Sequence, residues 1–253
     1  MNRIGQYIYC IIPTNQESNF GPIGIDGEEV LTIGYENLAM VVSSHPIDKV
    51  VVSKENMLIH EKVIERVMID FFSVLPIRYG TIASNADEVR NLLGKRHREF
   101  ESTLNEMDHM VELGVKGYWT NMNVIYKEIE KDNKNIQTEK DKIQNKKDET
   151  KEDKIEIGKM VEAALIQKKE DDAYEIVDKL RRLASEVKLN KTCGDEMFMN
   201  ASFLVSKGRE KEFDNVMDDL SDEYKDRIKF LYAGPLPIFN FANIKIYPEE
   251  WEK

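Results

Sequence analysis

The chain is poor in cysteine, with only Cys10 and Cys193 in 253 residues, which excludes a disulfide framework and a zinc site built from four cysteines. It also lacks an apolar run close to the roughly 20 residues that span a bilayer, and its first residues lack the apolar stretch of a secretory signal. Lys and Arg (36) are outnumbered by Asp and Glu (47), so the formal net charge is −11. This acidity argues against binding to nucleic acid or to an anionic membrane surface. These absences predict a cytoplasmic protein that binds neither.

No pattern of catalytic or metal-binding residues stands out. His60 and Glu61 begin like the helix of a zinc protease, but Ile64 occupies the place of the second histidine. The spaced glycines within residues 21–27 form neither a Walker loop nor a dinucleotide fingerprint. A nucleophile elbow of the G-x-S-x-G type is also missing. We therefore predict no catalytic, cofactor-binding or metal-binding residue, and no enzyme.

One segment differs sharply in composition from the rest of the chain. Of the 28 residues in 127–154, 18 are charged, nine of each sign. Such a segment buries too little apolar surface to offset its ordering entropy, which favours a solvated linker, helix or insertion. Its apolar residues Ile129, Ile136 and Ile143 are seven apart, which leaves open a coiled-coil partner helix, although a coiled coil needs two apolar positions per heptad.

Alternating strand and helix patterns predict an α+β protein of two domains. Residues 1–110 read as strands, a hairpin and two helical regions. Residues 111–253 follow the order strand, helix, hairpin, helix, strand, which is typical of a ferredoxin-like βαββαβ unit. We predict that each domain has a small, mainly antiparallel sheet with helices on one face. The second would carry the charged insertion at 127–154 and an apolar, proline-containing tail from residue 234.

Two segments are candidates for binding a partner. Residues 75–81 place Arg78, next to Tyr79, among apolar neighbours, and a buried guanidinium needs a partner. A structural salt bridge and a contact with another protein are both consistent with this arginine. The tail, which contains Phe239 and Phe241, either packs on its own domain or lies exposed as an apolar patch for another protein. The predicted partner-binding residues are thus Arg78, Tyr79, Phe239 and Phe241.

An ordered set of short segments resembles the gas vesicle protein F/L family. The matching segments are YIYCII at 7–12, LAMVVS at 38–43, His60-Glu61 early in a long helix, LPIRYGT at 75–81, VELGVKGYW at 111–119 and FLYAGPLPIFNF at 230–241. Together they span nearly the whole chain. Where the family often has Thr before Gly-Pro and an aromatic residue just after, this chain has Ala233 and Leu236.

The resemblance implies a minor, accessory gas vesicle protein with two α+β domains, no active site and no cofactor. Its implied partners are the small, very apolar major shell protein and other accessory proteins during vesicle assembly, so its implied place is the cytoplasm and the gas vesicle. A chaperone-like role fits, because apolar shell subunits aggregate unless they are covered before assembly. A ligand-sensing regulatory module is the alternative, because ferredoxin-like domains often bind small molecules.

Overall fold

The structure, a computed structural model, describes residues 3–47, 51–144, 150–242, 244 and 246. The strands are β1 (Ile4–Ile12), β2 (Asn19–Gly21), β3 (Val30–Tyr35), β4 (Leu38–Pro46), β5 (Leu75–Pro76), β6 (Ile82–Ala83), β7 (Met110–Trp119), β8 (Glu186–Leu189), β9 (Met197–Ser206) and β10 (Ile228–Leu236). The helices are α1 (Lys54–Asp70), α2 (Ala86–Lys95), α3 (His97–Glu106), α4 (Met122–Asp132), α5 (Lys134–Gln144), α6 (Lys151–Arg181) and α7 (Glu210–Glu223). Short 3-10 helices occupy Ile25–Gly27 and Lys207–Arg209.

The chain divides into two compact units. The first comprises residues 1–112 and 235–253, and the second comprises residues 113–234. The sequence predicted a boundary at 110/111 and placed the tail with the second domain. The structure differs on the tail, because residues from 235 onward belong to the first unit. The tail follows the second domain in the sequence, and this suggested that it belongs there. Its contacts in the structure are with residues far away along the chain.

The sheet of the first unit is built around β1. Its strand order is β2-β3-β4-β1-β5, with β6 also paired to β1, and every pair with a described register is antiparallel. The helix α1 is capped by Ser53, whose side chain accepts a hydrogen bond from the Asn56 N–H. Spacing of three and four residues puts Val63, Ile64 and Val67 on one face of α1, and they are buried in a single core with residues of β1, β3 and β4.

The second unit has a sheet with the strand order β10-β7-β9-β8. Its elements follow the order strand, helices, hairpin, helix, strand, as the sequence indicated, and β8 and β9 are antiparallel. The helix α6 packs on β9, and Phe213 of α7 meets Phe203 of β9 edge to face with ring centroids 5.2 Å apart. The predicted α+β fold class is confirmed, and the narrower ferredoxin-like assignment stays a prediction.

The charged segment is helical on both sides of residues 145–149, which lie outside the described part of the chain. Ile129, Ile136 and Ile143 are all buried, and their helices α4 and α5 pack on each other and on α6. Ile129 and Ile136 line one cavity together with Val161 of α6. The expectation of a solvated segment is therefore wrong for these isoleucines. The seven-residue spacing buries them within the chain's own helices. Five of the eight charged residues between Ile129 and Ile143 are exposed, whereas Glu130 and Lys140 line the same cavity.

Among the described residues, no helix combines the length and the apolar character needed to cross a membrane.

Candidate interaction surface

His60 lies at the centre of an aromatic cluster in the first unit. It sits on α1 and is only 2% exposed. Its Nε2 is 3.0 Å from the Ile77 carbonyl oxygen, and its Nδ1 is 2.8 Å from Tyr7 Oη. Because a carbonyl oxygen only accepts, Nε2 carries the proton and Nδ1 accepts from the tyrosine hydroxyl. Tyr7 Oη in turn accepts a hydrogen bond of 3.1 Å from the Gly80 N–H.

Burial sets the protonation of this cluster. It lowers the pKa of His60 from 6.5 to about 4, partly offset by the hydrogen bond to the Ile77 carbonyl. Burial also raises the pKa of Tyr7 above its ordinary value. Near neutral pH both side chains are therefore uncharged, and each hydrogen bond in the chain from Gly80 to Ile77 has a defined direction.

Four rings surround the imidazole, and two of them belong to predicted partner-binding residues. Tyr9 and Phe239 stack on the imidazole with centroid distances of 5.5 and 6.0 Å and interplanar angles of 30°. Tyr7 and Tyr79 meet it edge-on, each with a centroid distance of 5.6 Å. The structure thus brings Tyr79 and Phe239 together on one histidine, although 160 positions separate them in the sequence.

The loop that carries Arg78 and Tyr79 is held against β1 from both sides. Before it, the Ile77 N–H donates to the Tyr9 carbonyl oxygen (2.9 Å), and after it the Ile8 N–H donates to the Thr81 carbonyl oxygen (2.9 Å). Across it, Thr81 Oγ1 donates to the Arg78 carbonyl oxygen at 2.7 Å. Gly80 adopts a φ of +85°, a conformation that a side chain disfavours. The backbone at the tip of this loop is therefore held in one conformation.

Arg78 itself is exposed at the tip. Within the described part of the chain, no carboxylate lies within ion-pair distance of its guanidinium. Of the two readings that the sequence left open, the structural salt bridge is not found there. The strand β5 ends at Pro76, so the arginine lies beyond the sheet and reaches solvent.

Two exposed valines lie in a segment bonded to this loop. Val51 and Val52, just before the cap of α1, are 72% and 77% exposed. Tyr79 Oη donates a hydrogen bond of 2.7 Å to the Val51 carbonyl oxygen, which joins this segment to the aromatic cluster. Phe239 adds a ring that is 41% exposed. Tyr79 and Phe239 contact the buried imidazole, the Val51 carbonyl is bonded to Tyr79, and Val52 and Arg78 adjoin these residues in the sequence. We call Val51, Val52, Arg78, Tyr79 and Phe239 the His60 surface.

The tail is anchored on either side of Phe239. Ile238 and Phe241 are buried, with exposed fractions of 3% and 6%. Glu112, itself buried, accepts hydrogen bonds from the backbone N–H (3.0 Å) and from the side-chain Nδ2 (2.5 Å) of Asn240. Phe241 was predicted to bind a partner, but its ring lies in the core of the first unit, where a partner does not reach it. Tyr247 and Trp251 of the tail lie outside the described residues.

Sequence reasoning missed the two valines and the central role of His60. The role of the histidine is not visible in the sequence, because its partners come from three distant segments: β1, the loop at 77–79 and the tail. The valines carried a weak signal, since two adjacent β-branched residues directly precede Ser53, the cap of α1. An apolar residue in that position often packs on the first turn of a helix, but both valines here face solvent.

Other clusters of charged residues have structural roles. In the second unit, the Arg227 guanidinium bridges Glu128 and Asp172, and Lys168 and Trp119 Nε1 also bond Asp172. Glu128 and Asp172 raise the pKa of Arg227, and every charge in the group is paired. Across residues 3–47, 51–144 and 150–242, no three His, Cys, Asp or Glu side chains converge as metal ligands.

Replacing Tyr7 with phenylalanine tests the hydrogen-bond chain. The Gly80 N–H and His60 Nδ1 would both lose their partner. Gly80 is exposed, whereas the buried Nδ1 left unpaired costs roughly 1–3 kcal/mol. We expect Tyr7→Phe to lower the free energy of unfolding by about 1–3 kcal/mol in urea denaturation. A change below about 0.5 kcal/mol would contradict this arrangement. Tyr35→Phe is a suitable control, because Tyr35 is 39% exposed.

Comparison with known proteins assigns a family. The model of the family described as gas vesicle synthesis protein GvpL/GvpF matches residues 5–243. The chain belongs to this family. The resemblance found in the sequence is thereby confirmed, and with it an accessory role in gas vesicle formation. The GvpL/GvpF family is not a class of enzymes.

Relatives and solved structures match along nearly the whole chain. Gas vesicle protein F of Microcystis aeruginosa is 26% identical over 243 residues, which are 95% of this chain and 99% of that protein. Gas vesicle protein F1 of Halobacterium salinarum is 26% identical over 247 residues, covering 96% and 95% of the two chains. The crystal structure of gas vesicle protein GvpF from Microcystis aeruginosa matches with a TM-score of 0.79 at 25% identity, over 95% of this chain and 99% of that one. The GvpF structure from Anabaena gives 0.82 at 24% identity, over 96% and 99%.

Proposed function

We propose that this member of the GvpL/GvpF family is a cytoplasmic accessory protein of the gas vesicle that binds the small apolar shell protein, with other accessory proteins, and delivers it to the growing shell. The observation that carries the proposal is the His60 surface. It presents Val51, Val52 and Phe239 to solvent, next to a loop whose backbone is fixed by hydrogen bonds to β1. Exposed apolar groups on a rigid support are typical of protein-binding sites.

The charge of the chain supports the same role. A subunit that forms a water-excluding wall carries large apolar surfaces before assembly, and such surfaces aggregate. A partner with a formal net charge of −11 gives the complex a charge that opposes self-association. The His60 surface would cover part of the apolar surface, and the acidic remainder would keep the complex dispersed.

Co-expression with the major shell protein of the same organism tests this function. We expect shell protein to stay in the soluble fraction and to co-purify with the tagged chain. Complete aggregation of the shell protein, as when it is expressed alone, would overturn direct binding and favour a scaffold role among accessory proteins. The alternative of a ligand-sensing module predicts instead a rise in melting temperature with one member of a metabolite panel.

Two variants locate the binding site. Val51→Ser combined with Val52→Ser changes side chains that are at least 72% exposed, so stability should stay within about 0.5 kcal/mol. We expect shell-protein affinity to fall roughly tenfold in this double variant and in Phe239→Ser, as for anchoring residues of an interface. The matched control is Ile69→Ser, at the other end of α1 and 75% exposed, which should bind like the wild type. Equal loss in the control would show that binding is unspecific.

A further inference from the structure

Arg78 is one of five arginines, among the ten of the chain, for which no ion pair is found within the described residues. Four arginines form an ion pair with a carboxylate three or four residues away in the sequence: Arg66, Arg90, Arg96 and Arg209. Arg227 forms ion pairs with two carboxylates. Arg78 has no such partner among the described residues, in a chain with eleven more acidic than basic side chains. Its charge is therefore available to another molecule.

The backbone that carries Arg78 is held in place, which favours a specific contact. Hydrogen bonds to β1 on both sides and the bond from Thr81 Oγ1 fix the backbone of the loop tip. Less conformational freedom is then lost on binding, which strengthens any contact made there. Guanidinium presents a planar fork of donors that matches a carboxylate with two parallel hydrogen bonds.

Arg78 adjoins the aromatic cluster in the sequence. Tyr79 follows it directly and lies against His60, which is uncharged near neutral pH. Tyr79 also donates a hydrogen bond to the Val51 carbonyl oxygen, and it shares the imidazole with Phe239. When a partner covers these groups and removes water, the attraction between Arg78 and an anion becomes stronger. In the same environment an unpaired guanidinium would oppose binding.

We infer that Arg78 is the charge-specific contact of the His60 surface, and that it takes a carboxylate borne by an otherwise apolar segment of the partner. This inference rests on the proposed function and specifies the chemistry of the partner. The apolar part of the segment covers Val51, Val52 and Phe239, and its single Asp or Glu fixes the register against the arginine fork. A purely apolar segment would leave Arg78 desolvated and unpaired.

Charge-reversal variants of the two proteins test this contact. Affinity is measured for the full chain and the major shell protein, co-purified and then titrated in detergent, with wild type, Arg78→Lys, Arg78→Glu and Arg98→Glu. Arg98 is the matched control, because it is exposed in the same unit, has no ion-pair partner among the described residues, and gives the same change in net charge. We expect at least tenfold weaker binding for Arg78→Glu, an intermediate loss for Arg78→Lys and wild-type binding for Arg98→Glu.

Rescue then identifies the partner's carboxylate. Each Asp and Glu of the shell protein is replaced in turn by Lys, and each variant is paired with Arg78→Glu. Recovery of affinity in one pairing supports the inference. If the wild type binds but Arg78→Glu binds equally well, or if no pairing restores binding, the inference is overturned and the proposed function stands. If the wild type itself does not bind shell protein, the proposed function fails and the inference fails with it.

Discussion

Replacing Phe241 with serine is expected to lower the free energy of unfolding by roughly 4 kcal/mol, because removing a buried phenylalanine ring costs about 3–5 kcal/mol. The ring is 6% exposed and lies next to the Glu112–Asn240 contact. Urea denaturation followed by circular dichroism measures the loss. The variant is therefore a test of the core and not of partner binding, contrary to what the sequence suggested.

Phe239→Ser is the matched comparison, two residues away in the same tail. Its ring is 41% exposed and contributes mainly its stacking on His60, so we expect a loss of about 1 kcal/mol. Equal losses in the two variants would contradict the division of the tail into a buried anchor and an exposed ring. So would a Phe241→Ser variant that unfolds at the urea concentration of the wild type.

Acidification from pH 7 to pH 4 is expected to remove about 3 kcal/mol of stability through His60 alone. The unfolded histidine takes up a proton near its ordinary pKa of 6.5, whereas in the folded state burial lowers the pKa to about 4. Between these values the unfolded state binds more protons, so stability falls as the pH falls. Each unit of difference in pKa corresponds to about 1.4 kcal/mol.

A His60→Gln variant isolates this contribution from those of other groups. Burial, together with Glu65 and Glu112, raises the pKa of Glu61, so protonation of Glu61 stabilises the folded state in acid, with a sign opposite to that of His60. Because Glu61 is present in both proteins, the difference between their pH profiles reports on His60. We expect the variant to be less stable at pH 7 and to lose less between pH 6.5 and pH 4. Parallel profiles would contradict a buried neutral imidazole.

Periodicity along the chain was sufficient for the α+β fold class and for the helix face of α1. It also contained the signal of the buried isoleucines at 129, 136 and 143, although the surrounding charges outweighed that signal in the prediction. Apolar spacing of this kind is a local property of the sequence. Burial of three isolated residues depends on which helices meet, and this is decided by contacts between segments far apart.

The His60 surface was only partly predictable for the same reason. Composition drew attention to Arg78, Tyr79 and Phe239, because charged or aromatic residues stood beside Pro and Gly. Which of two neighbouring aromatic rings in the tail is buried depends on Glu112, which bonds Asn240 across 128 positions of sequence. No spacing within the tail distinguishes Phe239 from Phe241, so the exposed ring and the core ring were predicted alike.

The return of the tail to the first unit makes that unit discontinuous in sequence, with residues 113–234 placed between its two parts. Experiments that dissect the protein should follow this division. A fragment ending at residue 112 would lack Ile238 and Phe241 from its core and would leave Glu112 without Asn240. Joining residue 112 to residue 235 through a short flexible linker would keep these contacts in one polypeptide. Such a fusion is the appropriate fragment for studying the His60 surface apart from the second unit.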